Sequence, residues 1–528
     1  MQKLWKQLHA CFTVTTCTNR HQSTLDGRDE GPSFPDRTEN LNINDEVLHV
    51  TQLTVQEKSC RQATKYQSPF IPPLDGCPID NLPIELLSYI FTLGSGAERN
   101  SYEEQEEEGE VAGERRSHLP FQVLVSHVCR QWRAVTIETP TLWTYLDFEE
   151  GPPFNKSRTW LERSKECPLV IKLDCQSTFD LDGRSHISPA DLPVVRDLIL
   201  PHSARWRAFE LIVYSNDFKF MNDMLSTLAS IPDAPELRAL SLHCKSWYSF
   251  EDFLHYSPGP VDLFFTPFCG RAPELSLVTL WGVYVDWETC IFLQGLEVID
   301  LRNLENVVRP PYEVFAHILR RSPDLHTLTL CASGPAGDEE GWPTDVIELP
   351  SVRQHHLAKV PPSYASALLK RLVFPNLSIL SLEFDRQDYS TFIEQLTSPP
   401  PKQRHSVCQN LVELKLSGQQ HCSDTALGTF YAALPNLISL NINCYYSQHH
   451  YFEYLFVMNF QDPDGFYLPK LTTLTTYGIS VQRMSDLIRT RRTIKHVQMD
   501  SMTEIATDVD KECVAWLRAH TESFTFFR

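Results

Sequence analysis

One phrase, Leu-x-x-Leu-x-Leu, recurs along the second half of the chain and limits what it can fold into. Clear copies are Leu237–Leu242, Leu325–Leu330, Leu377–Leu382, Leu411–Leu416 and Leu437–Ile442, with weaker ones at Leu275–Leu280, Leu296–Leu301, Leu471–Leu474 and Ile494–Met499. Pro235, Pro273, Pro323, Pro375, Pro435 and Pro469 each stand two positions before the first leucine. Proline cannot continue a helix and drives the residue before it into extended backbone, so each one separates a preceding element from a strand. In a strand, alternate side chains share a face, so the second and third leucines of a copy point the same way. A single strand of this kind cannot bury its apolar face, whereas stacked copies merge into one continuous core.

The segments between the copies read as helices. Tyr312–Arg321 carries Phe315, Ile318 and Leu319; Asp424–Leu434 carries Leu427, Phe430 and Tyr431; a third stripe holds Phe220, Met221, Met224, Leu225 and Leu228. These spacings predict amphipathic helices packed on a strand layer. Copies recur irregularly, at roughly 21 to over 50 residues, too unevenly for a regular array. The expectation is an irregular solenoid over residues 165–528, with loop insertions around 332–370 and 385–408. Trp206–Tyr214 opens it, and Val509–His520 forms a helix capping the last strand.

The N-terminal part differs. Residues 1–70 are polar and aperiodic and are expected to form a disordered tail. Residues 71–148 are expected to form a small helical domain. Asn81 can cap a helix and Pro83 fits its first turn. Leu82, Leu86, Ile90 and Leu93 follow at helical spacing, widened by Leu87 and Phe91, and Gly94 and Gly96 are expected to end the helix. An insert over 95–118 centres on Glu103-Glu104-Gln105-Glu106-Glu107-Glu108-Gly109-Glu110, where like charges repel, and it reads as a flexible loop. A second helix is expected from about Pro120 to Ile137, since Phe121, Leu124, Val125, Val128, Cys129 and Trp132 keep helical spacing.

Composition narrows the function classes. The chain has 528 residues, more than one core usually fills, and a net charge of −20. That acidity disfavours a phosphate backbone as partner; Arg489, Arg491, Arg492 and Lys495 are the one basic run, read as a solvated turn. The 15 cysteines form no Cys-x-x-Cys pair, and an odd count fits no closed disulfide framework, so a reducing compartment, cytoplasm or nucleus, is expected. No stretch reaches the ~20 apolar residues that a membrane helix needs. No phosphate-binding loop, Gly-x-Ser-x-Gly elbow or His-Glu-x-x-His helix occurs, so no catalytic residue and no cofactor is expected. The pairs His355-His356 and His449-His450 have diverging side chains and make no ready chelate, so no metal is expected.

Leu82-Pro83-Ile84-Glu85-Leu86-Leu87-Ser88-Tyr89-Ile90-Phe91 resembles the first helix of the F-box, and Val125-Ser126-His127-Val128-Cys129-Arg130-Gln131-Trp132-Arg133 resembles its second, with Pro140-Thr141-Leu142-Trp143 trailing. The whole is similar to F-box proteins of mushroom-forming fungi, in which a divergent leucine-rich-repeat region follows. The acidic insert departs from the family, whose helices follow each other after a short turn. The fold class expected is therefore α+β with an α/β repeat, a small helical F-box followed by an irregular leucine-rich-repeat-like solenoid. The resemblance implies a substrate-recognition subunit, not an enzyme, in an SCF-type cullin-RING ubiquitin ligase, with a Skp-family adaptor, and through it a cullin, as partners. By position, Leu82, Pro83, Leu86, Ile90, Val125, Val128 and Trp132 match the docking and packing residues. For Leu87, Phe91 and Cys129 an internal core role is expected instead. Within the repeats, Arg238, His326, Thr327, Glu413, Lys415 and Ser439 are candidates for the surface that reads a protein substrate. A repeat scaffold without a ligase role is the alternative.

Overall fold

The computed structural model describes residues 82–107, 119–175, 187–188, 190–214, 218–245, 265–290, 292–399, 406–418, 422–445, 450–457, 465–500 and 508–527. The expected N-terminal tail lies outside these residues, as does the second half of the insert, 108–118. By contacts the chain divides into one unit of Thr16–Leu86 and another of Met1–Thr15 with Leu87–Arg528. Of the first, Leu82–Leu86 are described: Leu86 N–H donates to Pro83 O at 3.0 Å, and Ile84 begins helix α1, Ile84–Glu107.

Helix α1 runs past both glycines expected to stop it and takes in the first half of the insert. Glycine costs a helix about 1 kcal/mol, too little to end one that already packs elsewhere and whose next residues, Ala97, Glu98 and Arg99, favour helix. Gly94 serves packing: a Cβ there would lie 2.3 Å from the Phe121 ring. Two short helices follow, α2 (Phe121–Ser126) and α3 (Arg130–Glu138), where one was expected. The break falls at His127–Cys129. Cys129 is extended, and its Sγ accepts from Trp132 N–H at 3.4 Å, so it caps α3 instead of joining a core, and it is exposed. Trp143, 1 % exposed, closes the region by donating from Nε1 to Thr136 O at 3.0 Å.

The rest is a parallel sheet of 14 strands: β1 (Tyr145–Leu146), β2 (Leu169–Cys175), β3 (Trp206–Tyr214), β4 (Ala239–Lys245), β5 (Leu277–Trp281), β6 (Val298–Arg302), β7 (Thr327–Cys331), β9 (Gln354–Ala358), β11 (Ile379–Phe384), β12 (Glu413–Gly418), β13 (Ser439–Asn443), β14 (Thr473–Tyr477), β15 (His496–Asp500) and β16 (Ser523–Phe527). Strands β8 (Ile347–Glu348) and β10 (Leu372–Val373) pair separately. Each strand of the large sheet lies beside the one before it, which parallel pairing permits only with a crossover between them. Helices fill several crossovers, among them Phe218–Ser230, Tyr312–Arg320 and Asp424–Ala432, as the apolar spacing predicts.

Register turns the sequence phrase into two inner rows. The third leucines align as Leu173, Leu211, Leu242, Leu280, Leu301, Leu330, Leu357, Leu382, Leu416 and Ile442. Two residues earlier run Leu240, Val278, Ile299, Leu328, His355, Leu380, Leu414, Leu440, Leu474 and Val497. Asparagines at strand entrances tie neighbours together: Asn376, Asn410 and Asn436 each donate from Nδ2 to a main-chain carbonyl of the preceding turn, at 2.8–3.1 Å. Buried arginines do the same on the helix side. Arg371 donates to the carbonyls of Pro343, Ala367, Glu339 and Trp342, and Arg491 to those of Leu455 and Leu468.

Several expectations need correction. The sheet opens with β1 and β2, not with Trp206–Tyr214, and β1 falls inside the residues assigned to the helical domain. Residues 332–370 are not a loop insertion: β9 is a full member of the sheet, and a helix follows at Pro362–Arg371. The stretch 385–408 likewise holds a helix, Ser390–Thr397. The helix at Asp508–His520 precedes the last strand, because β16 pairs with β15 beyond it. Ser-Phe-Thr-Phe-Phe lacks the leucine phrase, yet aromatic residues fill a pleated, half-buried surface equally well.

Candidate docking site

Helix α1 presents apolar residues on two faces. Leu87 and Phe91, one turn apart, are 0 % and 1 % exposed. The Phe91 ring lies 4.9 Å from that of Trp132 on α3, so this face is the internal core. Ser88 Oγ and Thr139 Oγ1 share a hydrogen bond of 2.9 Å alongside it. About 100° round the helix, Leu86, Ile90 and Leu93 follow at i, i+4 and i+7, and they stay 49 %, 43 % and 55 % exposed. Tyr89 and Ile84 are open too, as are Leu119, Leu124 and Val128. Of the 15 large apolar side chains found exposed among the described residues, eight fall between Ile84 and Val128. Such crowding of apolar surface marks an interaction surface, whereas single exposed leucines are ordinary.

The seven candidate residues are therefore divided. Pro83, Leu86, Ile90 and Val128 are exposed, and Leu82 and Trp132 are half-buried. Val125 is buried at 6 %, so it packs and offers nothing to a partner. Val128 owes its exposure to the break between α2 and α3, which turns it off the face that a continuous helix would have given it. Tyr89 and Leu119 carry no mark in the sequence reading. Tyr89 lies one turn beyond Leu86, and that adjacency was the available signal.

The candidate reading surface sorts unevenly. On β4 to β7 the sheet face opposite the leucine rows is buried: Ser241, Thr279, Asp300, Arg302, Thr327 and Thr329 are all 5 % exposed or less. Thr327 is therefore withdrawn from the surface. Asp300 and Arg302 form a bidentate pair there at 2.8 and 2.9 Å. On β11 to β15 the same face is open, with Ser381, Lys415, Asn441 and Thr475 half-buried and Gln498 exposed. Glu413 and Lys415 pair at 3.3 Å, Arg238 pairs with Glu274 at 3.6 Å, and the His326 ring lies 3.9 Å from Glu297.

His355 and His356 point to opposite sides of β9, as adjacent strand residues must. His355 is buried in a leucine row, with Nδ1 2.9 Å from Leu328 O and its ring stacked on Phe374 at 4.8 Å. Burial, opposed only by that hydrogen bond, pushes its pKa down to about 4. The basic run is dispersed: Arg491 is buried, Arg489 pairs with Asp486 and covers the Trp516 ring, and Lys495 pairs with Glu522. Among the described residues no group of three or more His, Cys, Asp or Glu side chains could hold a metal ion. Nor, among them, is any helix long and apolar enough to cross a membrane.

A helical region with an exposed apolar helix face, followed by a parallel sheet, defines a mixed α/β protein with a small helical module. The F-box-like family matches residues 79–149, and that segment is an F-box-like domain. Comparison of the chain with curated proteins gives no match.

Proposed function

We propose that this chain is the substrate-recognition subunit of an SCF-type ubiquitin ligase. Its F-box-like domain docks on a Skp-family adaptor, and through it on a cullin. The strand array, a leucine-rich-repeat-like solenoid of the kind found in F-box proteins of mushroom-forming fungi, holds a protein substrate. The chain itself carries no catalytic residue and works in the cytoplasm or nucleus. The observation that carries this reading is the second apolar face of α1. Leu86, Ile90 and Leu93 stay exposed within the matched segment while Leu87 and Phe91 are buried, leaving surplus apolar surface to meet a partner's helices. For the substrate, the open face over β11 to β15 is the available surface, since the same face over β4 to β7 is buried.

The test is retention of a purified Skp-type adaptor by the full chain. Wild type retains it, and Leu86→Asp with Ile90→Asp abolishes retention while the thermal melt is unchanged, because both side chains are exposed. If wild type fails to retain the adaptor, or the double variant binds as well as wild type, the chain is a repeat scaffold without a ligase role.

A further inference from the structure

We infer that a groove on the helix side of the sheet, at the β5–β6 crossover, seats a short amphipathic helix with basic flanks from another protein. A helix fills the next crossover, Tyr312–Arg320 between β6 and β7, and another, Phe218–Ser230, fills the one between β3 and β4. Between β5 and β6, none of the described residues, 282–290 and 292–297, is helical. Among the described residues the outer layer has no helix there, and a cleft of about 810 Å³ lies between residues 233–235, 270–273 and the helix Tyr312–Arg320.

Chemistry selects the occupant. The floor is apolar, with Trp287, Phe292, Leu293 and Ile318 contributing to it. Trp287 is fixed by a hydrogen bond of 2.8 Å from its Nε1 to Val308 O, so the floor is preformed. Among the described residues the rim carries the exposed carboxylates Asp233, Glu288 and Glu313, the guanidinium of Arg271 and the imidazole of His317, neutral at pH 7 in the charge count. Three negative groups to one positive favour a cationic rim on the occupant, and an apolar floor favours an apolar stripe between its cations. An amphipathic helix presents that combination, with anchors at i, i+3, i+4 and i+7. The inference is independent of adaptor docking, because no residue of the groove lies in the F-box-like segment.

The experiment uses the full chain and a fluorescent leucine–lysine peptide of about 14 residues patterned at helical spacing. A scrambled peptide of equal composition and a leucine–glutamate version serve as comparators, and a benzophenone variant maps the contact. Saturable binding of the patterned lysine peptide alone is expected, with cross-links within residues 287–294 or 313–318. Glu288→Lys with Glu313→Lys should weaken it about tenfold or more, through loss and reversal of rim charge. Glu348→Lys with Glu394→Lys, exposed and away from the groove, should not change it. Equal binding of the scrambled or glutamate peptide, cross-links elsewhere, an unaffected Glu288/Glu313 variant or no binding at all would each overturn the inference. Should the charge-reversed variant prove misfolded, the cross-link map on wild type decides alone.

Discussion

His355 should make the parallel sheet acid-labile, and the size of the effect can be worked out. It occupies a position that Leu328 and Leu380 fill on the adjoining strands, and it is 7 % exposed. Burial holds its pKa at about 4 in the folded chain, while an unfolded chain should show about 6.5. The folded form thus resists a proton that the unfolded form accepts. The contribution is at its full value above pH 6.5, falls as pH drops towards 4, and levels off below that. A difference of about 2.5 pH units corresponds to roughly 3 kcal/mol in all, of which about 2 kcal/mol is lost between pH 7.5 and 5. The assay is urea unfolding of wild type and His355→Leu at both pH values. Leucine continues the row and cannot titrate, so the variant should lose about 2 kcal/mol less than wild type. Titrating groups that do not interact with His355 act in both proteins and cancel in the difference. Parallel acid destabilisation of the two proteins would refute the buried, neutral state assigned to His355.

Other outcomes follow from the same contacts. Arg371→Met should destabilise the chain by about 3 kcal/mol, because four main-chain carbonyls lose a charged donor; protease sensitivity within residues 335–345 would report it. Gly418→Ala should cost at least about 2 kcal/mol, since φ is +103° and the new Cβ would fall on the Phe384 carbonyl oxygen; the denaturation midpoint measures this. Leu87→Ala should cost about 2–5 kcal/mol as a core deletion. Leu86→Ala next to it should change stability by under about 0.5 kcal/mol yet weaken adaptor retention, and equal stability losses for the pair would contradict the two-faced helix.

The leucine phrase by itself determined a great deal. Side chains alternate along a strand, and proline ends what precedes it, so the inner rows of β4, β7, β11, β12 and β13 could be read without coordinates. So could the F-box-like segment, from Leu-Pro-Ile-Glu-Leu-Leu at 82–87 and Val-Cys-Arg-Gln-Trp at 128–132, despite the insert between them. What escaped depends on partners distant in sequence. Strand β9 hides behind His355, whose polar ring is tolerated only because Leu328 O and Phe374 meet it. Gly94 reads as a stop until the Phe121 ring rests against it, and β16 reads as nothing until β15 offers an edge. On α1 periodicity alone shows a broad apolar stripe; the family resemblance assigns Leu87 and Phe91 to an internal core and Leu86 and Ile90 to docking, and in the structure Trp132 packs on Phe91 while Leu86, Ile90 and Leu93 remain open. Period sets which residues share a face, and tertiary packing decides which face is sealed.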